Sequence, residues 1–321
     1  MSASAVERIW FGTGLGARAG RAALWPAAAL FRGAVALRNR GYDRGLFRTR
    51  AGAIPAISVG NLTVGGTGKT PVAAWLAGEL ARRGAHPAIV LRGYGDDEPA
   101  VHERLNPGVP VVVAPDRLAG LAEAARRGAD VAVMDDAFQH RRTARMADVV
   151  LVAAERGLEP ARLLPAGPYR EPPASLRRAS LVVVTRKTAS ADAARGVLDR
   201  AAAVSGVPGA VVHLAPGGLV RASGGGEGAV PPSLAGRRVI LLTGVGEPGL
   251  VRDQLEGLGA RVDLRAYPDH HAFSNSELAE AADAAAAAGA DVVCTLKDAV
   301  RIGGRWPASV PLWYVSQRLT V

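Results

Sequence analysis

A short apolar run from Ile54 to Val59 enters Gly60-Asn61-Leu62-Thr63-Val64-Gly65-Gly66-Thr67-Gly68-Lys69-Thr70-Pro71, which opens into Val72-Ala73-Ala74-Trp75-Leu76. A strand, a glycine-rich loop and a helix in that order are what a phosphate-binding loop requires. Glycines let backbone N–H groups turn inward around phosphate oxygens, and the helix N-terminus adds partial positive charge. In such a loop Lys69 reaches the β- and γ-phosphates, and the Thr70 hydroxyl is placed to ligate Mg²⁺. The expected nucleotide-binding residues are therefore Thr63, Val64, Gly65, Gly66, Thr67, Gly68, Lys69 and Thr70. Thr63 stands where the strict G-x-x-x-x-G-K-[ST] pattern has its first glycine. The pattern implies a bound nucleoside triphosphate.

Lysine usage sharpens this reading. Of 39 basic residues only Lys69, Lys187 and Lys297 are lysine. A chain that uses arginine almost everywhere keeps lysine in the loop, where a compact ammonium does what a planar guanidinium would do badly.

Three further clusters could carry chemistry. Met134-Asp135-Asp136 ends an apolar run where a Walker B carboxylate would stand, and acids there hold Mg²⁺ directly or through water. Arg92-Gly93-Tyr94-Gly95-Asp96-Asp97-Glu98-Pro99 leaves the end of the run Ile89 to Leu91. In an open α/β sheet ligands bind at such strand ends, and an acid there could activate an acceptor hydroxyl. Tyr267-Pro268-Asp269-His270-His271-Ala272-Phe273 holds two of the six histidines. Adjacent histidines make poor partners on one metal, so a single histidine oriented by an Asp for proton transfer is the better reading.

The elements that must position these residues alternate β and α. Ala88–Leu91, Val109–Val113, Val131–Met134, Val149–Val152 and Leu181–Val184 read as buried strands with alanine-rich helices between several of them. Such runs argue for a parallel sheet covered on both faces. A second α/β unit follows, with strands at Val239–Thr243, Val262–Ala266, Val292–Thr295 and Leu312–Val315 and a capping-box helix start at Ser274-Asn275-Ser276-Glu277. Between them, 205–236 is rich in Pro and Gly and reads as a linker, with Val211–Leu214 as a short ribbon strand. The expected division is 1–50, 51–204, 205–236 and 237–321.

Composition sets the class. With 49% hydrophobic and 21% charged residues, 321 residues describe a globular protein with real cores. Cys294, the one cysteine, excludes internal disulfides, and its apolar flanks describe a small buried hydrophobe rather than a nucleophile. Net charge is +10, concentrated at the start: residues 1–50 hold nine arginines against Glu7 and Asp43. These arginines interleave with Trp10, Phe11, Leu15, Leu24, Trp25, Leu30, Phe31, Val35 and Leu37. That pattern describes a helix lying in an anionic membrane interface rather than a nucleic-acid arm. The uncharged stretch Ala22–Phe31 is ten residues long and contains Pro26, whereas a membrane span needs roughly 20 apolar residues.

Taken in order, SVGNLTVGGTGKTPV, RGYG, DEP, DDAFQH, RLLPAGPYREP, GVGEP, YPDHHAF and TLKDAV resemble the tetraacyldisaccharide 4′-kinases, the lipid A 4′-kinases of Gram-negative envelope biosynthesis. The resemblance implies a P-loop NTPase-like domain, a second smaller α/β domain and a cleft. It implies transfer of the ATP γ-phosphate to the 4′-hydroxyl of tetraacyldisaccharide 1-phosphate, giving lipid IVA, with Mg²⁺. It also implies peripheral attachment to the cytoplasmic face of the inner membrane. By position, Lys69 and Thr70 serve phosphate and metal, Asp135 and Asp136 serve the metal, and Asp97 with His270 forms an Asp–His base. Tyr94, Arg117, Gln139, His140, Arg170 and Glu171 fall on the substrate side. The chain departs from the family where only Asp96 separates Gly95 from Asp97, at Ala137-Phe138, at Glu247 and at Leu296. The residues alone also suit a P-loop phosphotransferase or ATPase acting on a soluble substrate, or a nucleotide-binding membrane adaptor without turnover.

Overall fold

The computed structural model describes residues 3–93, 97–223, 233–307 and 309–320. Tyr94, expected on the substrate side, lies outside the described residues, as does the Gly-rich centre of the expected linker. The chain forms two compact units.

The first unit comprises Met1–Tyr94 and His102–Val212. It opens with helices α1 (Ala3–Phe11) and α2 (Leu15–Asp43), then alternates β1 (Ala56–Asn61), α3 (Lys69–Arg82) and β2 (Pro87–Leu91). Helix α4 (Asp97–Leu105) follows, then β3 (Val111–Val113), α5 (Arg117–Arg126), β4 (Val131–Asp135), β5 (Ala147–Ala153), β6 (Leu181–Arg186) and α6 (Ala191–Ser205). The strands run parallel in the order β3-β2-β4-β1-β5-β6. Every residue of β2 and β4 is buried, which is why these segments read as unbroken apolar runs instead of alternating ones. Phe138, Val150, Leu176 and Val184 centre one core cluster, and Val90, Leu121 and Met134 another. Each such fully buried Leu or Phe contributes roughly 1.5–3 kcal/mol relative to exposure.

The second unit comprises Gly95–Val101 and His213–Thr320. Strand β7 (Gly209–Ser223) begins in the first unit and runs into the second. After it come β8 (Arg238–Thr243), α7 (Pro248–Gly257), β9 (Arg261–Ala266), α8 (Asn275–Ala288), β10 (Asp291–Thr295), α9 (Leu296–Ile302) and β11 (Leu312–Thr320). Their order is β7-β11-β10-β8-β9, parallel except where β7 lies antiparallel on β11. Helix α8 starts with both halves of a capping box, Ser274 and Glu277. Cys294 is fully buried, and burial pushes its thiol well up, so it packs and does not react.

The two units divide the chain differently from sequence position in two places. Most of 205–223 is not linker: β7 is a 15-residue strand that pairs with β11 from His213 to Ser223. Gly95–Val101, counted by sequence position with the phosphate-loop domain, groups with the second unit.

Candidate active site

In the first unit, β1 delivers the chain into the loop and α3 begins at Lys69. Gly65 and Gly68 adopt φ of 106° and 83°, backbone that L side chains rarely take. Thr63 pairs instead with Tyr169 in an antiparallel bridge, extended backbone that a β-branched residue suits. That is why threonine serves where the strict pattern has glycine. Gly60 is required for another reason: a Cβ there would stand 2.6 Å from the Phe138 Cβ, so β1 passes directly under the Asp135–His140 turn.

The loop is braced from within and beside it. Asn61 Nδ2 donates to the Thr67 hydroxyl at 2.7 Å, and the buried Thr185 hydroxyl donates to the Thr67 carbonyl at 2.9 Å. Lys187 Nζ donates to the Gly66 carbonyl at 2.9 Å. Thr70 is buried at the start of α3.

The two acids that end β4 behave differently. Asp135 is buried, and its Oδ2 meets His102 Nε2 at 3.0 Å. Its Oδ1 is buried with no hydrogen-bond partner among the described residues. Such an oxygen suits a cation, because a buried carboxylate oxygen without a donor is otherwise costly. Asp136 adopts φ 51° and turns toward the loop, 3.9 Å from Lys69 Nζ. Arg170 grips it with two bonds of 2.9 and 2.7 Å. Burial raises the Asp136 pKa, but Lys69 and then Arg170 outweigh it and hold the carboxyl below the usual range. Asp135 with Thr70 thus fits a Mg²⁺ ion shared with nucleotide phosphates, and Asp136 is the anchor of Lys69 and Arg170.

The remaining substrate-side residues cluster around this turn. Gln139 Nε2 donates to the Asn61 carbonyl at 2.8 Å. His140 is half-buried; burial, with Arg117 and Arg145 adding, holds its imidazole below the ordinary value and hence neutral. Arg117 lies buried at the strand end, donating to the Ala114 and Asp135 carbonyls. Glu171 is buried and accepts from Asn39 of α2 at 2.9 Å and from Arg178 at 2.8 Å. His102, Asn39, Arg178, Thr185 and Lys187 were not singled out from sequence for these contacts. Arg178 lies seven residues from Glu171, but the partners of the other four lie 33 to 132 positions away, and no local spacing announces them.

The second unit brings Asp97 and His270 together. Asp97 sits in the acidic first turn of α4, a favourable place for a carboxylate. Its Oδ2 lies 3.6 Å from His270 Nδ1 and 3.0 Å from Arg301 Nε. His270 adopts φ 60°, with its N–H bonded to the Gly244 carbonyl and the Asp269 carboxylate. A left-handed histidine is the kind of strain that gathers at functional turns. Arg301 continues to the Gly244 carbonyl and to Asp298, which accepts from Thr243, Gly244 and Thr295. His271, by contrast, bonds Glu277 and stacks on Tyr267, a structural role.

A phosphate loop, a Walker B acid and a carboxylate–imidazole pair on a largely parallel α/β frame define a P-loop kinase. A family model described as tetraacyldisaccharide-1-P 4′-kinase matches residues 20–100 and 96–321. A tetraacyldisaccharide 4′-kinase of Anaeromyxobacter sp. (strain Fw109-5) is 41% identical over 93% of this chain and 88% of its own length. That of Halorhodospira halophila (strain DSM 244 / SL1) is 38% identical over 98% and 92%. The crystal structure of LpxK from Aquifex aeolicus in complex with ATP superposes with a TM-score of 0.72, at 27% identity over 94% of both chains. The chain belongs to the tetraacyldisaccharide 4′-kinase family.

Proposed function

We propose that this protein transfers the γ-phosphoryl group of ATP to the 4′-hydroxyl of a tetraacylated glucosamine disaccharide 1-phosphate, giving lipid IVA. The observation that carries the reading is the pairing of two features in a member of this family: a complete phosphate loop with Lys69 against Asp136, and the Asp97–His270 contact. In the reaction the bond between the γ-phosphorus and its bridging oxygen breaks, ADP leaves, and the sugar oxygen takes the phosphoryl group. Lys69 and the loop N–H groups stabilise charge on the transferring group. The proton of the 4′-hydroxyl passes to the Asp97–His270 pair, with His270 aligned by the carboxylate. Asp135 and Thr70 would hold Mg²⁺, which neutralises phosphate charge. Arg170, Gln139, His140 and Glu171, gathered around the Asp136 turn, would serve the substrate side.

The acceptor is a lipid, and the N-terminal helices suit its surface. Among the described residues no helix is long and apolar enough to cross a membrane. Helix α2 nevertheless leaves Trp25 68% and Leu30 77% exposed, with Leu15 and Leu37 open as well. Arg18, Arg32, Arg40 and Arg44 are exposed on the same helix and its cap. Apolar side chains ringed by arginine suit peripheral attachment to anionic lipid at the cytoplasmic face of the inner membrane.

Incubation with ATP, Mg²⁺ and the disaccharide 1-phosphate lipid in detergent should yield a bis-phosphorylated lipid, read by mass. ATP hydrolysis without lipid product would favour a soluble acceptor. ATP binding with no turnover would favour a membrane adaptor.

A further inference from the structure

Of the chain's three lysines, Lys69 belongs to the phosphate loop and Lys297 reaches Glu98 at 4.0 Å. Lys187 has no role in the reaction described above, yet its placement is specific. It stands in the turn that follows β6, immediately beside the loop. Three consecutive backbone N–H groups of that turn, from Lys187, Thr188 and Ala189, converge on one oxygen of Glu155 at 2.6, 3.0 and 3.2 Å. Burial raises the Glu155 carboxyl, but these donors outweigh it and hold it below the usual range, so it stays an anion that fixes the turn. With its backbone held, Lys187 extends to the Gly66 carbonyl at 2.9 Å. Two residues earlier, Thr185 donates to the next carbonyl, that of Thr67, at 2.9 Å.

Two successive carbonyls of the loop are therefore held outward by one preformed turn. In a trans peptide the C=O and the following N–H point in opposite directions. Fixing the Thr67 carbonyl toward Thr185 aims the Gly68 N–H the other way, toward the phosphate side, and Gly68 at φ 83° completes the turn into α3. A carbonyl in a tight loop accepts one compact donor, which the ammonium supplies and a guanidinium fork fits less well.

We propose that Lys187, together with Thr185, is a positioning pair for the phosphate loop, holding it in the conformation that receives the polyphosphate of a nucleoside triphosphate and so setting nucleotide affinity. The proposal rests on the reading of the Lys69 loop as the nucleotide site, and not on the identity of the phosphate acceptor.

Binding of ATP with Mg²⁺ by the full chain, followed by calorimetry, tests it alongside hydrogen exchange of residues 62–69 without nucleotide. K187M and T185V should each weaken ATP about tenfold, the scale of a lost hydrogen bond to a charged group in the ammonium's case. Each should speed exchange in the loop while leaving the melting temperature of the nucleotide-free protein near that of the unaltered chain. The double variant should be less than additive, because both act on one loop. Unaltered affinity and exchange in K187M and T185V would overturn the proposal. So would loss of a cooperative melt in both, since the pair would then hold the fold and not the loop. Failure of the unaltered protein to bind ATP would strike the underlying nucleotide reading, and the proposal with it. Failure to phosphorylate lipid while still binding ATP would strike only the acceptor.

Discussion

Lys69 and Asp136 stand 3.9 Å apart, and the facing carboxylate places the ammonium at the loop. Arg170 completes the arrangement by holding both oxygens of Asp136. Preorganised charge of this kind commonly accounts for about a hundredfold or more in rate per donor. K69A should therefore abolish phosphoryl transfer with an unchanged melt, and K69R should fail as well, because a fork cannot replace a point charge in a loop moulded to phosphate. Steady-state rates of either variant near those of the unaltered protein would remove Lys69 from this role. At this scale the loop, Asp135, Asp136, Asp97 and His270 were each visible in a local pattern, while the pairing of Asp97 with His270 came from the family resemblance and not from spacing. The supports were not visible in the sequence. His102 against Asp135, Asn39 against Glu171 and Arg301 against Asp97 pair residues 33, 132 and 204 positions apart, and only the fold brings such groups within bonding distance.

Helix α2 has one side tied into the fold and another left exposed. One side is tied into the first unit: Asn39 bonds Glu171, Arg38 donates to the Gln139 carbonyl, and Phe31 packs on the core around Phe138. Leu30 and Leu37, two turns apart, share a face left in the open. Each basic residue near an anionic surface adds about 1 kcal/mol, screened by salt. A variant lacking residues 1–40 should co-sediment poorly with vesicles containing anionic lipid, and high salt should weaken binding of the full chain. Because Asn39 leaves with the segment, the matching control is the full chain with L30E and L37E, which spares the Glu171 contact; equal sedimentation of all three proteins would return α2 to a packing role. Strand β7 marks the limit of element-scale reading. Pro208, Pro216, Gly217 and Gly218 signal a break, but β11 supplies a partner ladder, and pairing along an antiparallel neighbour overrides local propensity.

The whole molecule divides its chemistry between its two units. Lys69, Thr70, Asp135 and Asp136, the proposed nucleotide and metal groups, belong to the first, while Asp97 and His270, the proposed proton-accepting pair, lie within the second. The helix that bears Asp97 also bears His102, whose ring meets the Walker B acid, so a single nine-residue element contributes to both units. This division was readable from sequence as two α/β units, but the crossing of Gly95–Val101 was not, since nothing local marks a segment that returns to a later part of the chain. It carries a kinetic consequence. D97A and H270A should each lower kcat strongly while leaving ATP affinity within about twofold, because neither touches the phosphate loop. The double variant should be little slower than either single one, since residues that act as a unit are not additive. Arg301 shares the same Asp97 oxygen at 3.0 Å, so removal of the carboxylate also takes one partner from its guanidinium, and D97N, which keeps the acceptor oxygen for Arg301 but not the anion, separates packing from proton transfer. A D97N enzyme as slow as D97A would place the effect on the charge; recovery of rate in D97N, or multiplicative losses in the double variant, would dissolve the pair.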